Sequence, residues 1–403
     1  MVMNTIIIVV ALSIAGYLAF APRLRRSARW RATVTPLASI MGSGFLVSAP
    51  LLAGAVGYFA VFCMAALLVL AYAAGGAVRF NIRHFEPIEN DGHGVPQVVG
   101  SLSRIVLAGA YFISVTYYLQ LLAAFVGHAV GVHDEAALHG MTMGLLVVIA
   151  GIGMWRGLKL LEGVERFAVA LNLGMITALI VALAIHNIGL VSKGDWNLPM
   201  VPSTIDLHDV RVLLGLLIVV QGFETSRYLG DEHGAEERIV TMRGAQLISA
   251  VIYLVFIGLV TVLFQDGMGS DVTAIVRMTA PLAVVLPVMI SLAAIGSQFS
   301  AAVADTEGAG GLIEEISRRK LPLRWAYLLI LLITVALTWA TDVNTIIAYA
   351  SRAFALYYTL QCVVASSVAR GSVDLPKRRW RMAGFALLAL VCLLVFLFGL
   401  PSE

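Results

Sequence analysis

Ile40-Met41-Gly42-Ser43-Gly44-Phe45-Leu46 lies inside an apolar segment, 36–54, that is long enough to cross a membrane. About 180 residues later Gly222-Phe223-Glu224 interrupts a second apolar segment, 210–229. Where a helix stops early, its free backbone N–H and C=O groups can face a polar solute. In hydrocarbon each unpaired backbone group costs several kcal/mol, so a broken helix is tolerated only beside protein or a polar cavity. For one Gly-x-Gly alone, close helix packing is the competing explanation. Two interruptions at matching points of two half-chains instead predict a pair of discontinuous helices around a solute site.

The rest of the chain supports a membrane bundle. Sixty per cent of its residues are hydrophobic and only 13% are charged. Long apolar runs recur where barrel strands would show short alternating patterns. Twelve spans are expected, at about 3–21, 36–54, 56–79, 103–130, 138–155, 163–186, 210–229, 243–265, 280–305, 324–341, 343–369 and 382–400. With the N-terminus outside, 23 of the 27 Lys and Arg fall on inner loops, so a multi-pass protein of the cytoplasmic (plasma or inner) membrane is expected. The first span lacks a basic leader, which favours an uncleaved anchor over a signal peptide. Cys63, Cys362 and Cys392 all lie in spans and form neither a disulfide framework nor a metal motif. The run His84 to His93 lacks metal-ligand spacing and is expected to be a solvated turn. Neither Gly75-Gly76 nor Gly308 to Gly311 is followed by Gly-Lys-Ser/Thr, so no nucleotide site is visible. No nucleophile–base pair or metal signature points to an enzyme, no cofactor is implied, and no feature points to nucleic acid.

Setting aside the end spans leaves five in each half. An odd number per half gives the halves opposite orientation, an inverted repeat. The organisation expected is residues 1–30 as an extra helix and basic loop, 31–190 and 191–370 as the two repeats, and 371–403 as a last helix. The fold class is thus an all-α membrane protein of about twelve helices, its first and sixth core helices discontinuous.

The residues also resemble a family. Ile40 to Leu46, with Pro50, Gly54 and Gly57 following, is similar to the first core helix of amino acid–polyamine–organocation (APC) transporters. Gly222-Phe223-Glu224 resembles that superfamily's sixth-helix motif, followed by Asp231-Glu232 and Glu237-Arg238-Ile239. The run Gly311 to Pro322 resembles a later loop of the family. The resemblance covers about 36–370. It implies a LeuT-type fold and a secondary transporter that moves amino acids or related small amines by alternating access. It also implies that Gly42, Ser43 and Gly44 receive a carboxylate, and that Gly222, Phe223 and Glu224 hold the ammonium. Free helix N–H groups favour an anion and exposed carbonyls a cation, which suits a zwitterion. The chain departs from the family in its extra N-terminal span, in Arg227, and in Asn172 where some proton-coupled relatives carry Lys. The rival reading is a membrane sensor or accessory subunit that binds a solute without moving it.

Charges inside spans mark candidate mechanism. Glu224 is expected to sense substrate or carry a proton, and Arg227 with Asp305 to form an inner-gate pair. Arg352, roughly 14 Å deep at 1.5 Å per residue, is expected to meet Glu224 or an anionic group. Ser297 and Ser300 offer hydroxyls to Na⁺, so the coupling ion, H⁺ or Na⁺, stays open. Ser114, Tyr117, Tyr118 and Gln120 could line one cavity face, Gln298 shares a face with Asp305, and Tyr358 and Gln361 are weaker candidates. Oligomeric state is not legible.

Overall fold

The computed structural model describes residues 2–402 except 202, 204, 231, 232, 270, 373 and 374, and backbone alone at 25, 43 and 159–166. Among the described residues every regular element is helical. The chain begins with α1 (Val2–Phe20), α2 (Pro22–Arg26), α3 (Ala28–Val56) and α4 (Ala60–His84). It continues through α5 (Val95–Val130), α6 (Glu135–Arg156) and α7 (Lys159–Lys193). The second half opens on short α8 (Leu207–Gly215), followed by two 3-10 turns, Leu217–Val220 and Phe223–Tyr228. Then come α9 (Ala235–Val260), short α10 (Ala274–Thr279), α11 (Leu286–Ile316), α12 (Leu323–Ala340), α13 (Val343–Gly371) and α14 (Arg378–Phe398).

Nine helical stretches among the described residues are long and apolar enough to cross a membrane, one of them holding both α3 and α4. Adding α13 and the interrupted element that starts with α8 gives the twelve crossings expected. Helix starts follow capping chemistry. Ser27 accepts from Trp30 N, Asp134 from Ala137 N and Asp342 from Thr345 N, each satisfying a first-turn donor. Asp206 and Asp209 form a reciprocal capping box at α8.

The apolar residues divide between core and periphery. Phe62, Val69, Trp155, Leu332 and Leu387 remain exposed on the outside of the bundle, as lipid-facing residues do. Large rings fill the interior: Tyr117, Tyr118, Tyr253, Tyr357 and Tyr358 are fully buried, and Phe45 packs against Tyr253 and Phe256 at 5.3 and 4.3 Å. α5 runs through the middle against α11 and α13, α3 packs on α9, and the end helices dress the outside, α1 on α7 and α14 on α13. The ends carrying most of the Lys and Arg share one side, termed here the basic face, and the opposite side is the far face.

One expectation fails. α3 is helical throughout 42–44, so the first core helix is continuous. A glycine inside a helix costs only about 1 kcal/mol relative to alanine, and two of them do not by themselves stop it. What the small residues permit is close approach. A Cβ on Gly44 would lie 2.6 Å from Val219 Cβ, and Gly42 O accepts from Gln298 Nε2 at 3.0 Å. Close packing is therefore what this motif serves. Gly44→Leu is expected to push α3 off its partner at a cost of about 1–3 kcal/mol, read as a lowered thermal midpoint in detergent.

Candidate functional site

The second interruption is a true break. After Gly215 the backbone tightens into a 3-10 turn, Gln221 is extended (φ −89°, ψ 178°), and Gly222 turns left-handed at φ 114°. A side chain is strained at that φ, and a Cβ there would also sit 2.4 Å from Ser39 Oγ and 2.7 Å from Ser39 C. The broken element and α3 therefore touch backbone to backbone. Side chains take over the lost ladder. Ser351 Oγ donates to Gly215 O (2.6 Å) and accepts from Ile218 N (2.8 Å). Tyr253 OH bonds Val219 O and also reaches Ile40 O at 3.1 Å, spanning both helices.

Glu224 sits just past the break, 1% exposed. Its Oε2 accepts from Gly222 N at 3.1 Å and from Tyr358 OH at 2.7 Å. Phe223 stacks on Tyr358 with ring centres 5.1 Å apart. Towards α5, Gln221 Nε2 donates to Tyr118 OH at 3.4 Å, and Tyr117 lies beside Tyr118 at 5.0 Å. Below this layer, on the basic-face side, opens a cavity of about 440 Å³ between α3, α7, the second 3-10 turn and α11. Ser39, Tyr111, Asn172, Thr225, Ser300 and Asp305 are among its polar walls. Ser297 also lines it and accepts from Asn172 Nδ2 at 3.3 Å, while the Asp305 carboxylate accepts from Ser114. The chemistry on offer is acceptor-rich: hydroxyls, an amide and a carboxylate beside a break in the backbone.

A family model described as an APC superfamily transporter matches residues 22–399. The chain belongs to this family. A protein of Aquifex aeolicus (strain VF5), described as uncharacterized, is 41% identical over 396 residues, 96% of this chain and 95% of that protein. Two solved mutant structures of the Eremococcus coleocola manganese transporter superpose with TM-score 0.61 at 12% identity, covering 94% of this chain and 87% of theirs. At that identity the likeness concerns the fold.

Within this APC superfamily transporter the expected residues fall into three groups. Gly42, Gly44, Gly222, Phe223, Glu224, Tyr117 and Tyr118 gather around the contact of α3 with the broken element, and Ser43 lies on the same turn of α3 backbone. Ser297, Ser300 and Asp305 line the adjacent cavity. Arg227 and Arg352 lie elsewhere, and both need correction.

Arg227 has partners other than the expected Asp305. Its Nη1 donates to Gln361 Oε1 at 2.6 Å, and Nη2 lies 3.3 Å from Glu89 Oε2. Glu86 approaches Nε at 3.9 Å. Arg238 binds Glu86 with two donors, at 2.7 and 3.0 Å, and also bonds Arg227 O. Arg104 joins Glu89 to Glu315. The stretch expected to be a solvated turn thus supplies the counter-charges of a half-buried network on the basic face. No local pattern marks this, because Glu86 and Glu89 meet Arg227 across about 140 residues of chain. Asp231 and Glu232 lie outside the described residues.

Arg352 does not reach Glu224. Its Nε donates to Phe396 O at 2.7 Å, with the guanidinium 5.9 Å from the Phe396 ring. A long, flexible side chain moves its charge well away from its own depth along the helix. Ser351, next to it, is the residue that sequence reasoning missed. A serine in an apolar helix is the only local hint of its role in patching the break.

Proposed function

We propose that this chain is a secondary active transporter of amino acids or related small amines, working by alternating access. The observation that carries the reading is the contact between α3 and the left-handed break at Gly222, with the acceptor-lined cavity directly beneath it. Such a place offers carbonyl, hydroxyl and carboxylate oxygens to an ammonium group. The N–H groups at 42–44 are spent inside the continuous helix α3, so the reading rests on the amine and not on a carboxylate bound there. The excess of Lys and Arg on one face supports reading that face as cytoplasmic, in a plasma or inner membrane, with the N-terminus outside. The halves 31–190 and 191–370 are read as inverted repeats.

Glu224 is the candidate for proton coupling, and Ser297 with Ser300 the candidates for Na⁺. Glu224→Gln keeps the shape but removes the ionisable carboxyl. It is expected to reduce solute counterflow in liposomes more than tenfold while leaving the thermal midpoint within a few degrees of wild type. Counterflow equal to wild type would remove Glu224 from the mechanism.

The primary test is thermal unfolding of the detergent-purified protein against amino acids, polyamines and nucleobases, with and without Na⁺ and at two pH values. A ligand that binds only the native state raises the midpoint. Mn²⁺ joins the panel because the two structural relatives are manganese transporters. A saturable shift from an amine, lost in Gly44→Leu, supports the reading. A shift from Mn²⁺ and from no amine replaces it. The extra helix α1 and the buried Arg227 keep the sensor reading in view, and it predicts the same thermal shift with no counterflow.

A further inference from the structure

The residues after α14 do not trail into solvent. Leu400 N donates to Arg211 O at 2.9 Å, and Arg211 Nε donates back to Phe398 O at 3.2 Å. Ser402, only 7% exposed, donates from Oγ to Gly269 O at 2.7 Å. The fit against α8 is so close that a Cβ on Gly215 would lie 1.9 Å from Leu400 O. Arg352 on α13 anchors the start of this segment through Phe396 O. Residues 396–402 therefore tie together α8, α13 and the far-face loop at Gly269. That loop in turn lies against the far end of α3, where Gly54 meets Gly269 backbone to backbone.

We propose that residues 396–402 form a latch that holds the far face closed. α8 is the far half of the broken element, and α3 is the helix it packs on. If a site between them is to open to the far face, the far end of α8 must swing away from α3 and from α13, the helix that packs on α5. It cannot do so while its backbone is bonded to Leu400 and its Arg211 to Phe398. The cavity beside the break lies on the basic-face side of the Tyr117–Tyr118 layer, and a far-face cavity of about 420 Å³ around Gln120 and His128 is lined by no described residue of α3, α8 or the break, so the contact of α8 with α3 stays closed on that face. The segment is held in place by a buried serine and an arginine through only a few hydrogen bonds. Each contributes modestly to stability, so the latch is releasable.

This inference rests on the alternating-access reading, but its test needs no solute. Spin labels are placed at Leu207→Cys, at the far end of α8, and Val130→Cys, at the far end of α5. Both native residues are exposed. Cys63, Cys362 and Cys392 are buried and are replaced by alanine. Inter-label distances are then measured in liposomes by pulsed electron resonance, with and without residues 399–403. The full chain is expected to show one dominant short distance, and the deletion to raise the share of a longer distance at least tenfold. A folded deletion variant with an unchanged distribution, even one with a lowered thermal midpoint, would make the segment a static brace and overturn the proposal. If the deletion does not fold, Arg211→Met and Ser402→Ala each remove a single side-chain bond. A rise of at least twofold in the longer distance supports the latch, and unchanged distributions in both overturn it. A silent solute panel with a positive distance result would fault the solute assignment alone.

Discussion

Gly222→Leu is expected to abolish solute-induced thermal shifts and to destabilise the protein by about 2–5 kcal/mol. Two effects add. Leucine is strained at φ 114°, where left-handed backbone costs an L-residue roughly 1–2 kcal/mol, and its Cβ would occupy the space of Ser39 Oγ and the Ser39–Ile40 peptide. The backbone atoms in that contact cannot step aside as a flexible side chain would. Relief requires α3 to move, and α3 is held by Tyr253, whose single O–H is shared between Val219 O and Ile40 O. A matched control is Gly109→Ala, on α5 with open space around its Cβ position. There, a helix interior should gain up to about 1 kcal/mol. Thermal unfolding of both variants in one detergent decides the matter: equal midpoints would mean that the contact of Gly222 with α3 carries no weight.

The second large effect concerns Arg227. Arg227→Met is expected to cost about 3 kcal/mol, the lower end for breaking a buried ion pair from one side. Its side chain is 4% exposed and those of Glu86 and Glu89 are 22% and 17% exposed, so water still reaches the acids and trims the penalty. Removing the guanidinium leaves two carboxylates close to each other, with only Arg238 and Arg104 to balance them. It also strips Gln361 Oε1 of one donor, although Asn81 Nδ2 still reaches that oxygen at 2.9 Å. Adding Glu89→Gln should recover part of the loss, because the charge left unpaired is then gone. A double variant no more stable than the single one would mean that the ion pair is not the cause.

Much of the architecture was readable from local pattern. Span number, the short connections and the clustering of Lys and Arg follow from apolar runs and charge counts, which need no knowledge of neighbours. The break at Gly222 was readable too, because Gly-Phe-Glu sets a conformationally free residue beside a charge that hydrocarbon does not tolerate. The Gly42-Ser43-Gly44 motif was ambiguous, since small residues serve both a broken helix and a close-packed one. It took the position of Val219 and the Gln298 amide to show that packing is what these glycines serve.

Partners were the hardest to read. Arg227 was expected to pair with Asp305, and Arg352 with Glu224 or an anionic group, by depth along the chain. Their true partners, Glu86, Glu89 and the Phe396 carbonyl, come from segments far off in sequence. Long side chains reach several ångströms and choose among whatever charges and carbonyls the fold brings within range. Sequence alone thus determined the all-helical membrane bundle and the position of the second break, because helix formation and membrane insertion depend on residues near one another in the chain. Tertiary structure alone decided that α3 runs unbroken, which acids neutralise Arg227, and where residues 396–402 dock. Each of those depends on shapes and charges that meet only after folding.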